Sequence, residues 1–136
     1  KKLKKRLRNF LIKNKFSDVK YKSQIVDTNK FNEKERVILA NEQLKLIEKS
    51  ELVITSRIHV ALPAVAYGTK VIFLKDGLSS INHTSRLEGI SDYFFCCSSS
   101  DLNTLSLIDL KPKKNHLLLR KKLLESIDQF VNMKNK

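Results

Sequence analysis

Two short apolar runs, close together in the chain, constrain its fold more than any other feature. Leu52–Thr55 and residues 71–74 are rich in large and β-branched apolar side chains, which is typical of strands buried on both faces of a parallel sheet. The thirteen residues 56–68 between them are enough for a crossover helix, and Gly68 stands where such a helix would end. The segment therefore predicts a β–α–β unit.

Polar residues follow the first of these runs directly. In the segment Thr55-Ser56-Arg57-Ile58-His59, an arginine and a histidine stand two residues apart at the carboxyl end of the predicted strand. Ligands of open parallel sheets bind at this edge. Arginine binds carboxylates and phosphates through its planar guanidinium, and histidine exchanges protons near neutral pH. This segment is therefore the candidate functional site and the strongest chemical signal in the chain.

Apolar residues at helical spacing predict three longer helices. The first covers residues 3–12, the second runs from about Asn32 to Lys49, and the third begins at Asn115. Asn32 with Glu35 three residues later forms a capping-box pattern. The apolar stripes of the three helices are Leu3, Leu7, Phe10 and Leu11; Val37, Ala40, Leu44 and Ile47; and Leu119, Leu123, Ile127 and Phe130. We expect the stripe of the second helix to be buried.

The remaining segments predict shorter elements. A weak strand pattern covers residues 21–26 and a stronger one covers residues 93–97. Short helices are predicted over residues 84–89 and 101–108, the second of them capped by one of the residues 98–101. Helix and strand alternate along most of the chain, which predicts a three-layer α/β domain with a parallel sheet. The 136 residues suffice for one such domain.

The net charge of +13 is concentrated at the two ends of the chain. Residues 1–22 carry ten basic residues against one acidic residue, and residues 111–136 carry eight against two, whereas the middle is nearly neutral. No aromatic residues are interleaved in a stacking pattern within the basic segments, which argues against a nucleic-acid-binding module. We expect instead a weak contact of both basic helices with an anionic membrane surface.

The two cysteines, Cys96 and Cys97, are adjacent and predict reduced, half-buried thiols in a strand rather than a disulfide or a metal site. No apolar run approaches the ~20 residues that a membrane-spanning helix needs, and no signal peptide is visible. These features predict a cytoplasmic protein, peripheral to the inner membrane face if the basic helices bind there. The chain starts abruptly within a helix, as a segment of a longer protein would.

Residues 52–92 contain an ordered set of motifs around the predicted β–α–β unit. These are Ser56-Arg57-Ile58-His59, Gly68, the apolar run 71–74, Arg86 and Gly89-Ile90-Ser91-Asp92. The set resembles the signature of the polysaccharide pyruvyl transferase family. In that signature a strand leads into Ser/Thr/Gly-Arg-Leu/Ile-His and a small-residue helix ending in glycine. Next come a second strand, then an arginine, and then the segment Gly-Leu/Ile-x-Asp. The resemblance covers about the middle third of the chain.

The resemblance implies a transferase that moves the pyruvyl group of phosphoenolpyruvate onto two hydroxyls of a cell-surface polysaccharide, such as a capsule, as a pyruvate ketal. It also implies a fold like that of GT-B glycosyltransferases, in which two Rossmann-like halves enclose the active site. This chain matches the carboxyl-terminal half, so we expect one Rossmann-like domain over residues 1–136 that is inactive alone. The acceptor would be a saccharide or a lipid-linked glycan, and no metal or other cofactor is expected.

By the same resemblance, His59 is the catalytic residue, and Ser56, Arg57, Ile58 and Arg86 bind substrate. Phosphoenolpyruvate carries a carboxylate and a phosphate, so its site requires arginine and the N–H groups of a helix start. Ketal formation requires proton transfer, and His59 is the nearby group suited to it at neutral pH. Ser56 is expected to cap the helix that carries Arg57 and His59 in its first turn.

Local alternatives stay open at the level of sequence. Arg57 could pair with a carboxylate such as Glu51, and His59 could be a half-buried structural residue. The helix could start at Arg57 with a kink at Pro63, or it could start only near Leu62.

Function and assembly also leave alternatives. A rival enzymatic function is that of a glycosyltransferase half-domain, in which Arg57 and Arg86 bind the diphosphate of a nucleotide sugar. The remaining histidines, His83 and His116, are expected on the surface. The isolated domain is expected to be monomeric or to pair with a second copy of itself.

Overall fold

The computed structural model of the chain describes residues 2–23, 25, 27, 29–78, 85 and 87–134. Within these ranges the elements are α1 (Lys2–Lys13), α2 (Glu33–Glu48), β1 (Leu52–Thr55), α3 (Ile58–Ala66), β2 (Lys70–Leu74), β3 (Phe95–Cys97) and α4 (Asn115–Lys134). Single 3₁₀ turns occur at Ser91–Tyr93, Asp101–Asn103 and Leu107–Asp109.

The three strands of the described chain form one parallel sheet in the order β1-β2-β3. Thr55 at the end of β1 lies opposite Phe73 of β2, and Leu74 at the end of β2 lies opposite Cys97 of β3. All three carboxyl ends therefore meet at one edge of the sheet. The predicted β–α–β unit is confirmed, with α3 as the crossover between β1 and β2.

Apolar side chains cover both faces of the sheet. Successive side chains of β2 point to opposite sides and so contribute to both clusters. Val71 and Phe73 pack with residues of α2 and α3, and Phe73 stacks on Phe94 with ring centroids 5.2 Å apart. Ile72 and Leu74 pack into a second cluster on the other face. The buried members of the two clusters are Ile47, Ala61, Ala64, Val65, Val71, Phe73, Leu87 and Phe94, and Phe10, Ile72, Leu74, Leu102 and Leu110. The α/β domain therefore has the predicted three layers.

Helix α3 ends in a Schellman motif at Gly68. The Gly68 N–H donates to the Val65 carbonyl at an N···O distance of 2.9 Å. The Thr69 N–H donates to the Ala64 carbonyl at the same distance. Gly68 has a φ of +79°, a left-handed conformation that glycine adopts without the steric cost of a Cβ. The Thr69 hydroxyl also donates to the Ile47 carbonyl at 3.2 Å, so the predicted glycine cap positions the start of β2 against the end of α2.

The start of α3 differs from both alternatives that Pro63 left open. The helix begins at Ile58 with Arg57 as its N-cap, and Pro63 lies inside it. It therefore starts one residue later than Arg57 and well before Leu62. Since proline has no N–H, the His59 carbonyl lacks the helical donor that another residue at position 63 would supply.

Helix α2 begins with the predicted capping box. The Asn32 side chain accepts the Glu35 N–H at 2.9 Å, and the Glu35 carboxylate accepts the Asn32 N–H at 2.8 Å. The predicted buried stripe is wrong at its amino-terminal end, where Val37 and Ala40 are exposed, although Ile47 is buried. The reason is length, because α2 has 16 residues and α3, against which it packs, has 9.

The shorter predicted elements differ most from the structure. The strand over residues 21–26 is wrong at its described positions, where Tyr21 and Ile25 are 73% and 81% exposed and have no regular structure. The strand over residues 93–97 shortens to β3, because residues 91–93 form a 3₁₀ turn. The helix over residues 101–108 is replaced by two 3₁₀ turns, the first of which buries Leu102. Of the predicted helix over residues 84–89, positions 84 and 86 lie outside the described residues, positions 85 and 87 are helical, and residues 88 and 89 form a turn.

Helices α1 and α4 use their apolar stripes differently. In α1, Phe10 is fully buried, and Leu7 and Leu11 pack around it. Helix α4 begins at Asn115 as predicted, but its stripe stays open to solvent, with Leu119, Leu123, Ile127 and Phe130 each about half exposed. None of the described helices combines the length and the apolar composition that crossing a bilayer requires.

Candidate functional site at the carboxyl edge of the sheet

The site predicted from sequence lies where β1 passes into α3. Thr55 ends the strand, and its hydroxyl accepts the Arg57 N–H at 3.0 Å, which turns the chain toward the helix. Arg57 has extended backbone angles, with φ −108° and ψ 120°, and occupies the N-cap position. The expectation that Ser56 caps the helix is wrong, because Thr55 makes the turn and α3 starts one residue later than that cap requires.

The two ionisable side chains of this segment are exposed and unpaired. Ser56, Arg57 and His59 are open to solvent, whereas Ile58 is half-buried and packs on the core between α2, α3 and the sheet. Within the described part of the chain, neither the Arg57 guanidinium nor the His59 imidazole makes a hydrogen bond or an ion pair. The alternatives of an Arg57–Glu51 pair and a half-buried structural His59 are therefore wrong.

The first turn of α3 adds backbone donors beside these side chains. The Arg57 carbonyl accepts the N–H groups of Val60 and Ala61 at 3.1 and 3.0 Å. The N–H groups of Ile58 and His59 have no intrahelical acceptor by helix geometry, and the Arg57 side chain makes no capping bond. N–H groups without an intrahelical acceptor, the positive end of the helix dipole and a guanidinium at one helix start together favour a bound anion.

A second polar cluster, which sequence reasoning missed, lies at the carboxyl ends of β2 and β3. The Asp76 carboxylate accepts two hydrogen bonds from Ser99, one from its N–H and one from its hydroxyl, both at 2.7 Å. The Ser99 hydroxyl in turn accepts a bond from Nη1 of Arg6 at 3.0 Å. Ser99 is 2% exposed, so this Asp76–Ser99–Arg6 cluster satisfies a buried hydroxyl and ties α1 to the sheet edge.

The rest of the turn after β3 is closed by its own hydrogen bonds. The Ser98 N–H donates to the Asp101 carboxylate at 2.9 Å, and the Ser100 N–H donates to the Ser98 hydroxyl at 3.2 Å. The bond from the Ser98 N–H, with bonds from the Ser98 and Ser100 hydroxyls, holds the pKa of Asp101 below its usual value. Because the N–H groups of residues 98–100 are all occupied, this turn does not offer donors to an anion.

Part of the second cluster was accessible from the sequence. Asp76 lies two residues after β2, and Ser99 lies two residues after β3. Arg57 and His59 were selected because ligands bind at the carboxyl ends of parallel strands, and the same reasoning applies to Asp76 and Ser99. Arg6 was not accessible, because 93 residues separate it from Ser99. Strands β1 and β3 are two strand spacings apart, or about 10 Å, so both clusters share one edge of the sheet.

The other predicted residues contribute less to this edge. Arg86 and His83 lie outside the described residues. His116 is half-buried rather than on the surface, and its Nδ1 is buried without a hydrogen-bond partner in the described chain. The described residues contain no group of three side chains suited to binding a metal ion.

The two cysteines match their prediction, since both are unbridged and half-buried in β3. Burial raises the pKa of Cys96. Burial also raises the pKa of the Cys97 thiol to about 11, and the nearby Asp101 and Asp76 carboxylates add to that effect. A thiol with such a pKa is a poor nucleophile at neutral pH.

The chain matches no family model, no curated protein and no solved structure. Its functional interpretation therefore rests on the geometry of the sheet edge and on the resemblance of residues 52–92 described above.

Proposed function

We propose that this chain forms the phosphoenolpyruvate-binding part of a polysaccharide pyruvyl transferase. The observation that carries the proposal is the start of α3, where Arg57, His59 and unpaired N–H groups meet at the carboxyl end of a parallel strand. Neither side chain has a partner in the described chain, so both are available to a ligand.

Phosphoenolpyruvate fits this arrangement because it carries two anionic groups on one small molecule. Arg57 would bind one of them through two parallel hydrogen bonds, and the N–H groups of Ile58 and His59 would bind the other. The exposed Ser56 hydroxyl is available beside them. Arg86, which the resemblance includes among the substrate-binding residues, would add a second guanidinium.

The reaction joins two sugar hydroxyls to C2 of phosphoenolpyruvate. A proton adds to the C3 methylene, the first hydroxyl attacks C2 and loses its proton, and the bond between C2 and the phosphate oxygen breaks. The second hydroxyl then attacks C2 and loses its proton, which closes the ketal. Of the two hydroxyl protons, one balances the proton taken up by C3 and the other leaves with phosphate. We assign the removal of the hydroxyl protons to His59.

A second protein surface would have to cover this edge during the reaction. Ser56, Arg57 and His59 are exposed here, and water would compete with the sugar for the activated C2. We therefore infer a GT-B-like cleft with this Rossmann-like domain on one side and another domain on the other. A saccharide or lipid-linked glycan would enter that cleft in the cytoplasm, and this chain alone would turn over no substrate.

Titration of the chain with phosphoenolpyruvate, followed by NMR, tests the binding step. The resonances of Arg57, Ile58 and His59 are expected to shift first, and Arg57→Ala should abolish these shifts. Arg8→Ala is the matched control, because Arg8 is exposed on α1 and should leave the titration unchanged. Shifts that survive Arg57→Ala would show that the anion binds elsewhere.

Turnover in the complete enzyme tests the chemistry. His59→Ala is expected to lower it by ~10²–10⁴, the usual share of a general acid–base group. Arg57→Lys should be nearly as harmful as Arg57→Ala, because an ammonium cannot replace a planar fork on a carboxylate. The assay follows transfer of radiolabelled pyruvate to an acceptor glycan. Transfer of radiolabelled sugar from a nucleotide sugar, with none of pyruvate, would identify the rival glycosyltransferase function.

A further inference from the structure

Helix α4 carries an apolar face that the rest of the described chain leaves open. Its members are between 47% and 61% exposed, and they are Leu119, Leu123, Leu124, Ile127 and Val131. They follow one another at helical spacing and so lie on one side of the helix. The main contact of α4 with another described element is the turn Ser91–Tyr93. Most of a 20-residue helix is therefore available to a partner.

Cations surround the amino-terminal half of the same helix. All are exposed, and they are Lys111, Lys113 and Lys114 before the helix and Arg120, Lys121 and Lys122 in its second turn. The first turn contains no acidic residue, and the ion pair that these cations make in the described chain is the exposed Lys121–Glu125 contact at 3.8 Å. Cations at a helix amino terminus oppose the helix dipole. An external anionic surface would offset that unfavourable interaction.

We propose that α4 is a membrane-surface helix, whose apolar face enters the interface of an anionic bilayer while the flanking cations contact lipid headgroups. Lys121 and Lys122 lie on either side of the apolar face, and Arg120 lies within it near its amino-terminal end; their long side chains reach headgroups from these positions. Helices of low overall hydrophobicity that combine an apolar face with nearby cations lie in this plane. In α4 the cations lie toward the amino-terminal half, and Glu125 and Asp128 follow on the polar side. The proposal is independent of the transferase function.

Charge selects the bilayer over other partners. Two copies of the chain each carry a net charge of +13, and their mutual repulsion opposes pairing through α4. A nucleic acid would neutralise the cations but would leave the apolar face in water. An anionic bilayer is complementary to both features of the helix.

Co-sedimentation of the full chain with vesicles tests whether the apolar face of α4 enters the bilayer interface. Vesicles of equal parts phosphatidylglycerol and phosphatidylcholine are expected to bind at least about tenfold more chain than pure phosphatidylcholine vesicles. Combining Leu123→Gln with Ile127→Gln should lower binding to the anionic vesicles by about tenfold. The matched control is Leu118→Gln, because Leu118 is 60% exposed on the opposite side of α4 and should bind as the unmodified chain does.

A variant with fewer cations tests whether the lysines near α4 contact lipid headgroups. Lys113→Gln combined with Lys122→Gln is expected to lower binding by about thirtyfold, since each cation near an anionic surface contributes about fivefold. Lys34→Gln combined with Lys45→Gln removes the same charge from exposed positions of α2 and should leave binding unchanged. Circular dichroism of each variant checks that the fold is retained.

Equal binding of the chain to neutral and anionic vesicles would overturn the proposal. The proposal would also be overturned if the chain bound no vesicles but formed a dimer, and if Leu123→Gln combined with Ile127→Gln dissociated that dimer. A second copy of the chain would then cover the apolar face. Binding to polyglutamate without binding to vesicles would overturn it in favour of an acidic polypeptide.

Discussion

At the scale of single residues, the carboxyl edge of the sheet contains two kinds of polar side chain. Arg57 and His59 are exposed and have no partner in the described chain, whereas Asp76 and Ser99 are bonded to each other. Removing an exposed side chain that has no hydrogen-bond partner changes the free energy of unfolding little. Removing the donor or the acceptor of a buried hydrogen bond leaves the remaining group without a partner and costs more. The first pair is thus available to a ligand, and the second holds the edge in place.

A comparison of two serines at this edge tests the distinction. Ser99→Ala is expected to lower the free energy of unfolding by about 1–2 kcal/mol, because it removes the hydroxyl that bonds Asp76 and Arg6. Ser56→Ala, at an exposed position, should stay within about 0.5 kcal/mol of the unmodified chain. Urea denaturation measures both, and equal losses would mean that the Asp76–Ser99–Arg6 cluster does not stabilise the fold.

The thiol of Cys97 gives a prediction in pH. Burial raises its pKa from 9.0 to about 11, so in a Cys96→Ser variant iodoacetamide should alkylate Cys97 slowly. At pH 8 the rate should be roughly a hundredfold lower than in the urea-unfolded chain, because the thiolate is the reactive form. Because the folded chain favours the protonated Cys97 thiol, this group contributes to the stability of the fold below pH 9.0, the pKa of the thiol in the unfolded chain. That contribution is lost as the pH rises toward 11. Equal rates in folded and unfolded chains would contradict the burial.

At the scale of elements, short-range hydrogen bonds determine where helices begin and end. The capping box of Asn32 and Glu35 starts α2, and the Schellman motif at Gly68 ends α3. The start of α3 is the exception, because Thr55 and Ser56 both offer a hydroxyl one residue apart and the structure uses Thr55. That choice shifts Arg57 from the first helical turn to the N-cap, next to N–H groups that have no intrahelical acceptor.

Removal of the cap of α2 measures its contribution. Asn32→Ala is expected to lower the free energy of unfolding by about 1 kcal/mol, since the Glu35 N–H loses its acceptor. Asn41→Ala is the control, because Asn41 is exposed in the helix interior, where alanine has the higher helix propensity. Denaturation midpoints should therefore fall for the first variant and hold or rise for the second; the reverse order would show that the box contributes nothing.

At the scale of the whole molecule, α1 covers the sheet face that α2 and α3 leave open. Phe10 is fully buried against Ile72 and Leu74 of β2. Two side chains hold the helix near its middle and at its carboxyl end: Nη1 of Arg6 donates to the Ser99 hydroxyl, and Nζ of Lys13 donates to the backbone carbonyl of residue 103 at 2.8 Å. The third layer of the domain thus depends on one aromatic anchor and two hydrogen bonds from the amino-terminal helix.

Truncation of that anchor should expose the second face of the sheet. Phe10→Ala is expected to lower the free energy of unfolding by about 3–5 kcal/mol, because it leaves a cavity in the second core cluster. Hydrogen exchange should then become faster in α1 and β2 together. Leu3→Ala, at a site that is 41% exposed on the same helix, should cost less than about 1 kcal/mol. Loss of protection in α1 alone would show that the helix is only peripherally attached.

The sequence was sufficient for features that depend on neighbouring residues. The β–α–β unit, the capping box and the glycine cap each rest on residue types a few positions apart, where steric limits and local hydrogen bonds act in any context. The placement of Arg57 and His59 at a strand end follows from the same local pattern. The exposure of both side chains does not, because it depends on what the rest of the chain packs against this edge.

Only the tertiary structure decided which apolar stripes are buried and which polar groups meet. Stripes in α1, α2 and α4 are alike in sequence, yet Phe10 is buried, Val37 is 57% exposed and Leu123 is 61% exposed. Burial requires a facing surface, which the three strands of the described chain offer to α1 and α3, and which α3 offers to the end of α2. The contact between Arg6 and Ser99 likewise needs the folded sheet, because local preferences act over a few residues and this bond spans 93.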